Sequence, residues 1–245
     1  MNLHVLGSSS TGNGYLLTSL SGDTLIIETG IKLSKAKEVM NFDISGVVGA
    51  IITHSHADHS GRVGEYLAAG IQCFASPETI HEKDIPHHNF TPVPPKVIFK
   101  IGPFSVMPFT LEHDVKCYGY LIRHPECGLI CFITDTLFCR YRFPGLNHII
   151  VEANYDEFIL DTNIEAGQLP VVVRNRVVAS HMSLQTCRAF IAANDLQVVR
   201  NIILIHLSTG NSNARDFQQQ VQEQTGKRTH IATPGMTINL NLNPF

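Results

Sequence analysis

Short apolar runs, each closed by a cluster of polar or turn-forming residues, recur along the chain. Runs at 3–6, 15–18 and 25–28 read as successive strands, parted by Gly7-Ser8-Ser9-Ser10-Thr11-Gly12-Asn13-Gly14 and by Ser21-Gly22-Asp23. Runs at 49–52, 71–75, 104–111, 118–123, 129–134, 148–152, 177–180 and 202–205 also read as strands, and 229–241 as a closing strand pair. Helical spacing of apolar positions marks 33–40 and 60–70. Ser76-Pro77-Glu78 is a helix start with Pro at the first position. Another helix follows Ser183, with Leu184, Cys187, Phe190 and Ile191 on one face, and a last one is expected over 213–225. Strands and helices alternate with no linker and no low-complexity segment. The pattern predicts an α+β fold in one domain, 1–245, with helices on the outer faces of two packed sheets.

The polar residues that close these runs carry the chemistry. Run 49–52 opens onto Thr53-His54-Ser55-His56-Ala57-Asp58-His59, a loop leading into the helix that starts near Ser60-Gly61-Arg62. Between a strand end and a helix start, alternate loop residues can turn toward one point, so three imidazoles and a carboxylate can converge. These are the ligand types of zinc, iron and manganese. A histidine pair alone would read as a surface turn, whereas four ligand-type residues within six positions point to a metal site. His113, Asp135, Glu152, His181 and His206 each stand just beyond an apolar run. Any one alone reads as a cap or a core polar residue. Together they place a site at one edge of the sheets, where loops sit on a rigid scaffold. His87 and His88 lie in a Pro-rich loop, 86–95, that nothing directs toward that edge.

Composition narrows the class. A hydrophobic content of 44% supports a substantial core, and no window is apolar for the length of a membrane span. The first residues lack a charged segment followed by a long apolar one, so a cytoplasmic location is expected. Six cysteines without a CxxC pair, mostly in apolar runs, read as reduced core thiols. The net charge is −3 and no run of Lys or Arg appears, so there is no global basic signature for duplex nucleic acid. Small groups such as Lys32, Lys35 and Lys37 read as solvated faces. A homodimer is left open.

With these pieces in place, the chain resembles the metallo-β-lactamase superfamily. The resemblance rests on the HxHxDH run (His54, His56, Asp58, His59), followed in order by His113, Asp135 and His206, and it spans nearly the whole chain. The stretch Gly7 to Asn13, Ile133-Thr134-Asp135-Thr136, Ser180-His181-Met182-Ser183 and Ile205-His206-Leu207-Ser208 look like the YycJ-like branch, which contains DNA exonucleases. The resemblance implies an αββα sandwich of two mixed sheets with the metal site at one edge. It also implies two divalent ions. His54, His56 and His113 would hold one, Asp58, His59 and His206 the other, and Asp135 would bridge them. Zinc is the first expectation, with manganese or iron as alternatives. His181 matches a histidine that contacts the scissile phosphate in related phosphodiesterases. Glu28 stands where the superfamily usually has Asp, and with Thr53 it is expected to support the metal loop from behind. Only 22 positions separate His113 from Asp135, which leaves no room for the tRNA-binding arm of RNase Z.

The implied activity is a binuclear phosphodiesterase or nuclease working through a metal-bridging hydroxide. Asp58 and Asp135 would hold that hydroxide for in-line attack on phosphorus, with His181 as general acid for the leaving alkoxide. Ser208 and Asn211, in the polar loop after His206, are candidate substrate contacts. The expected substrate is a nucleic acid or nucleotide phosphodiester. A small-substrate enzyme, such as a cyclic-nucleotide phosphodiesterase, is the second reading. A non-catalytic metal-binding or regulatory module is the third, and the complete ligand set argues against it.

Overall fold

A computed structural model of the protein describes residues 1–243. Its strands form two seven-stranded sheets. In spatial order the first holds Thr237–Asn239, Asn2–Ser9, Gly12–Thr18, Thr24–Ile27, Val47–Ile51, Cys73–Ala75 and Phe90–Pro92. The second holds Arg228–Ile231, Asn201–Ile205, His148–Glu152, Gly128–Ile133, Cys117–His124, Phe104–Leu111 and Phe99–Ile101. Both are mixed in the same manner. The first is antiparallel from Thr237–Asn239 to Thr24–Ile27 and parallel beyond. The second is antiparallel from Phe99–Ile101 to Gly128–Ile133 and parallel beyond.

Apolar side chains fall into three layers. Tyr15, Leu17, Leu25 and Ile27 face Phe104, Tyr118, Phe132 and Ile150 between the sheets. Leu16 and Ile26, the alternate positions, pack outward against Leu33, Ala36, Tyr66 and Leu67. On the other outer face Ile149, Val151, Ile202 and Leu204 lie under Leu184, Cys187, Phe190 and Phe217. Strands buried on both faces need apolar residues at consecutive positions, which is why they appear as unbroken runs. The Tyr15 and Phe132 rings meet edge-on at 5.5 Å across the sheets. Truncating Phe132 to Ala would remove that contact and cost about 3–5 kcal/mol. The architecture is the αββα sandwich that the sequence predicts.

Several elements differ from the sequence reading. Residues 177–180 are not a strand but the end of the helix Val171–Ser180. A second unpredicted helix, Glu157–Glu165, packs beside it. The β-branched run Val171-Val172-Val173 mimics a strand, yet Pro170 starts a helix there and all three valines are exposed. The expected helix 60–70 is two short ones, Ala57–Ser60 and Val63–Ala68, broken where the Arg62 N–H donates to Thr29 O at 2.9 Å. The closing strands do not pair together: Arg228–Ile231 joins the second sheet and Thr237–Asn239 the first. The Pro-rich loop includes the edge strand Phe90–Pro92, and His87 stacks on His88 at 4.6 Å. Five cysteines are buried, Cys139 is half-buried, and all six are free. No helix among the described residues is long and apolar enough to cross a membrane.

Candidate metal centre

The parallel strands of both sheets end at one edge, and three turns there take an unusual backbone. Glu28, Asp135 and His206 have φ of 67°, 35° and 55°. A left-handed backbone costs about 1–2 kcal/mol for residues with a Cβ, and such conformations collect at functional sites. Each residue closes a strand and turns its side chain over the sheet edge. The Thr53–His59 loop enters the same space beyond Val47–Ile51.

Three groups of ligand-type side chains result, each with its ligand atoms within 4.8 Å of one another: His54, His56, His113 with Asp135; Asp58, His59, Asp135 with His206; and Asp135, Glu152, His181 with His206. Asp135 belongs to all three. Its Oδ1 lies 3.2 Å from His59 Nε2 and 3.4 Å from His206 Nδ1, and its Oδ2 lies 3.9 Å from His54 Nε2. Asp58 Oδ2 is 3.2 Å from His59 Nε2 and 3.3 Å from His206 Nε2.

Surrounding groups set the tautomers. Thr53 Oγ1 donates to Glu28 Oε1, so it accepts from His54 Nδ1 at 2.9 Å and leaves His54 Nε2 bare. That nitrogen is buried without a partner. His113 Nδ1 donates to Ser180 O at 2.9 Å, which leaves Nε2 facing inward. His206 Nδ1 donates to Glu152 Oε1 at 3.0 Å and turns Nε2 toward Asp58. His59 Nδ1 faces Glu28 Oε1 at 3.3 Å while Nε2 faces Asp58 and Asp135. His56 Nε2 faces Asp114 Oδ1 at 3.4 Å, and its Nδ1 lies 3.3 Å from His113 Nε2. Five rings thus turn a nitrogen toward one region, and for His54, His113 and His206 an outer hydrogen bond on the other nitrogen sets that orientation, as it does for metal-binding histidines.

The electrostatics agree. Burial pushes the Asp135 carboxyl up, but the His206 and His59 rings outweigh it and hold the group well below the usual carboxylate range. Burial pushes His206 down, yet Asp135, Asp58 and Glu152 lift it to about 10. Burial and the His59 ring hold His54 well below its ordinary value. The buried carboxylates draw in positive charge, and divalent cations facing the bare nitrogens meet that demand. The residues present fit the group.

Glu28 lies fully buried, its Oε2 accepting from Thr53 N at 3.3 Å. It touches both Thr53, behind His54, and His59, so its extra methylene spans two parts of the metal loop. Gly30 is the close-approach point: a Cβ there would sit 1.7 Å from Asp58 O. Four residues carry parts that sequence reasoning did not assign. Asn13, 1% exposed, directs Nδ2 to Asp58 Oδ2 at 3.3 Å and to His59 Nε2 at 3.0 Å. Glu152 accepts from His181 Nδ1 at 2.7 Å, and its Oε2 accepts from Thr136 N and Met182 N. Its signal was its place at the end of a buried strand. Asp114 and Arg176 stand at the rim. Ser208 and Asn211 do not reach the cleft. Ser208 Oγ accepts from Asn211 N within the loop, and Asn211 Oδ1 accepts from Asn163 Nδ2, which ties the loop to the helix Glu157–Glu165.

A cavity of about 290 Å³ opens over the centre, lined by His56, Asp58, His113, Asp135, His181 and His206. Burial lowers the pKa of His181, but Glu152 and Asp135 raise it above its ordinary value overall. A larger hollow of about 380 Å³ beside His4, Asp23 and Asp43 lies outside all three groups.

The fold is a metallo-β-lactamase-type sandwich, with ligand-type residues gathered at one edge of its sheets. Residues 10–113 match the family model of the metallo-beta-lactamase superfamily. Among curated proteins it is similar to the exodeoxyribonuclease YycJ of Bacillus anthracis, 27% identical over 92% of this chain and 91% of that one. Among solved structures, the metallo-beta-lactamase fold protein YhfI from Bacillus subtilis has a TM-score of 0.72 at 15% identity, covering 97% of this chain and 99% of that one. A diphosphatase from the PhnP family has a TM-score of 0.67 at 14% identity, covering 99% of each.

Proposed function

We propose that this protein is a binuclear metal-dependent phosphodiesterase acting on nucleic acid, with residues 1–245 forming one hydrolase domain. The observation that carries the reading is His181, which is held from behind by Glu152 and faces the same cavity as the ligand groups, yet is needed by neither of the first two. Similarity to an exodeoxyribonuclease over most of the chain supports the substrate class.

His54, His56 and His113 would hold one ion, Asp58, His59 and His206 a second, and Asp135 both. Zinc, manganese and iron all suit these ligands. Bound ions would supply Lewis acidity toward a phosphoryl oxygen and an activated water at neutral pH. Asp58 and Asp135 give the cavity the anionic floor that keeps cations in place and orients polar hydrogens. Glu152 takes the Nδ1 proton of His181, so Nε2 is the nitrogen presented to a leaving-group oxygen. A protonated His181, its Nδ1–H held by Glu152, can give its Nε2 proton to the departing alkoxide.

Purified protein should be reconstituted with zinc or manganese, its metal counted by elemental analysis, and its turnover measured on bis(p-nitrophenyl) phosphate and linear DNA. About two ions per chain and diester cleavage are expected. Fully loaded protein that cleaves a lactam or thioester briskly, and no diester, would overturn the reading.

A further inference from the structure

Three carboxylates and four histidines line the cleft over the centre. Asp58, Asp114 and Asp135 line it, and Arg176 is its only Lys or Arg among the described residues. Neighbouring guanidinium groups are neutralised: Arg174 pairs with Asp161 at 2.9 Å and Arg140 pairs with Glu112. Arg176 makes no ion pair with a described carboxylate, although it sits in a cleft rich in them.

Its placement is firm. Ser180 Oγ donates to Arg176 O at 2.6 Å, and Ser180 O accepts from His113 Nδ1. The last turn of Val171–Ser180 is thereby bolted to the centre, and His181 follows directly. Arg176 begins that turn, so it stands about 6 Å along the helix axis from Ser180, one turn further out. Ser10, at the tip of the hairpin between Asn2–Ser9 and Gly12–Thr18, lines the same cleft.

An isolated diester carries one charge, which the centre itself meets. A polynucleotide brings further phosphates past the exposed carboxylate of Asp114, which repels them. We propose that Arg176 binds the phosphate neighbouring the scissile one, and so makes the site selective for polynucleotides over isolated or cyclic diesters. The inference rests on the phosphodiesterase reading and names its substrate class. A guanidinium suits this task because its planar fork can donate two parallel hydrogen bonds to one phosphate.

The test compares the parent holoenzyme with Arg176→Gln and Arg176→Lys on bis(p-nitrophenyl) phosphate and on a short single-stranded oligodeoxynucleotide, with metal content checked for each. For Arg176→Gln the loss of kcat/KM on the oligonucleotide should exceed that on the small diester by about tenfold or more, chiefly through KM. The slope of log kcat/KM against log salt should fall by about one for the oligonucleotide. Arg176→Lys should restore the salt slope and part of the rate. Equal losses on both substrates, or an unchanged salt slope, would overturn the proposal while leaving the phosphodiesterase reading intact. A loaded parent enzyme that cleaves neither substrate would remove both.

Discussion

Glu152 and His181 are joined by a 2.7 Å hydrogen bond, and the oxygen that accepts it lies 3.0 Å from His206 Nδ1. One buried carboxylate therefore orients two rings given different tasks here: His206 to hold an ion, His181 to move a proton. The backbone N–H groups of Thr136 and Met182 fix its second oxygen, so the carboxylate cannot rotate away.

Glu152→Gln exploits that anchoring. The amide oxygen must take the place facing the two N–H groups, which turns the amide NH2 toward His181 and His206. Donors then face donors. Metal affinity should fall by about 10–100-fold, the usual effect of losing an outer partner of a metal ligand. Competition with a chelating dye reads this directly, and unchanged affinity would show that His206 does not depend on Glu152.

His181→Ala separates a proton donor from a ligand. Both ions should stay bound, while turnover of a diester with a poor leaving group falls by about 10²–10⁴-fold. The loss should shrink for a p-nitrophenyl ester, whose leaving group departs without a proton. Ser183, not His181, caps the next helix through Ser183 Oγ and Thr186 N, so removing His181 should cost little stability. Loss of an ion in this variant would instead assign His181 to the ligands.

Gly30→Ala tests how tightly the metal loop is seated. The added methyl would overlap Asp58 O, and Asn13 N lies only 3.0 Å from it. The loop must shift, so the variant should lose ions and show a lower melting temperature. A variant that keeps its full metal content and melting temperature would mean the loop has slack the contacts do not suggest.

Acid should weaken the fold at a point remote from the centre. His148 is fully buried at the opposite end of the strand from Glu152. Burial, helped by the Arg200 charge, pushes its ring down to about 4. The unfolded chain takes up this proton near pH 6.5 while the folded chain refuses it, so stability is full above that pH and declines as pH falls toward 4. The decline amounts to roughly 3 kcal/mol. Between pH 7 and 4 the parent should lose about that much more unfolding free energy than His148→Gln, and parallel curves would exclude the effect.

The metal loop was readable because its ligand types are contiguous and follow a buried strand. The sandwich was readable because doubly buried strands leave unbroken apolar runs. What escaped depends on distant partners. The Val171-Val172-Val173 run carries strand-like residues, yet all three valines are exposed on a helix that starts at Pro170 and packs beside Glu157–Glu165. Arg228–Ile231 and Thr237–Asn239 look like a hairpin because local pattern cannot say which sheet each joins. Asn13 and Glu152 acquire meaning only through His59, 46 residues away, and His206, 54 residues away.

The ligand-type residues come from both sheets: His54, His56, Asp58 and His59 from loops of the first, His113, Asp135 and His206 from ends of the second. A ribosome delivers the four loop residues early and His206 some 150 positions later. Until then a nascent chain offers passing ions only an open, incomplete cup. Ion capture on this reading is a late event of biogenesis, and it would lock the two sheets against each other.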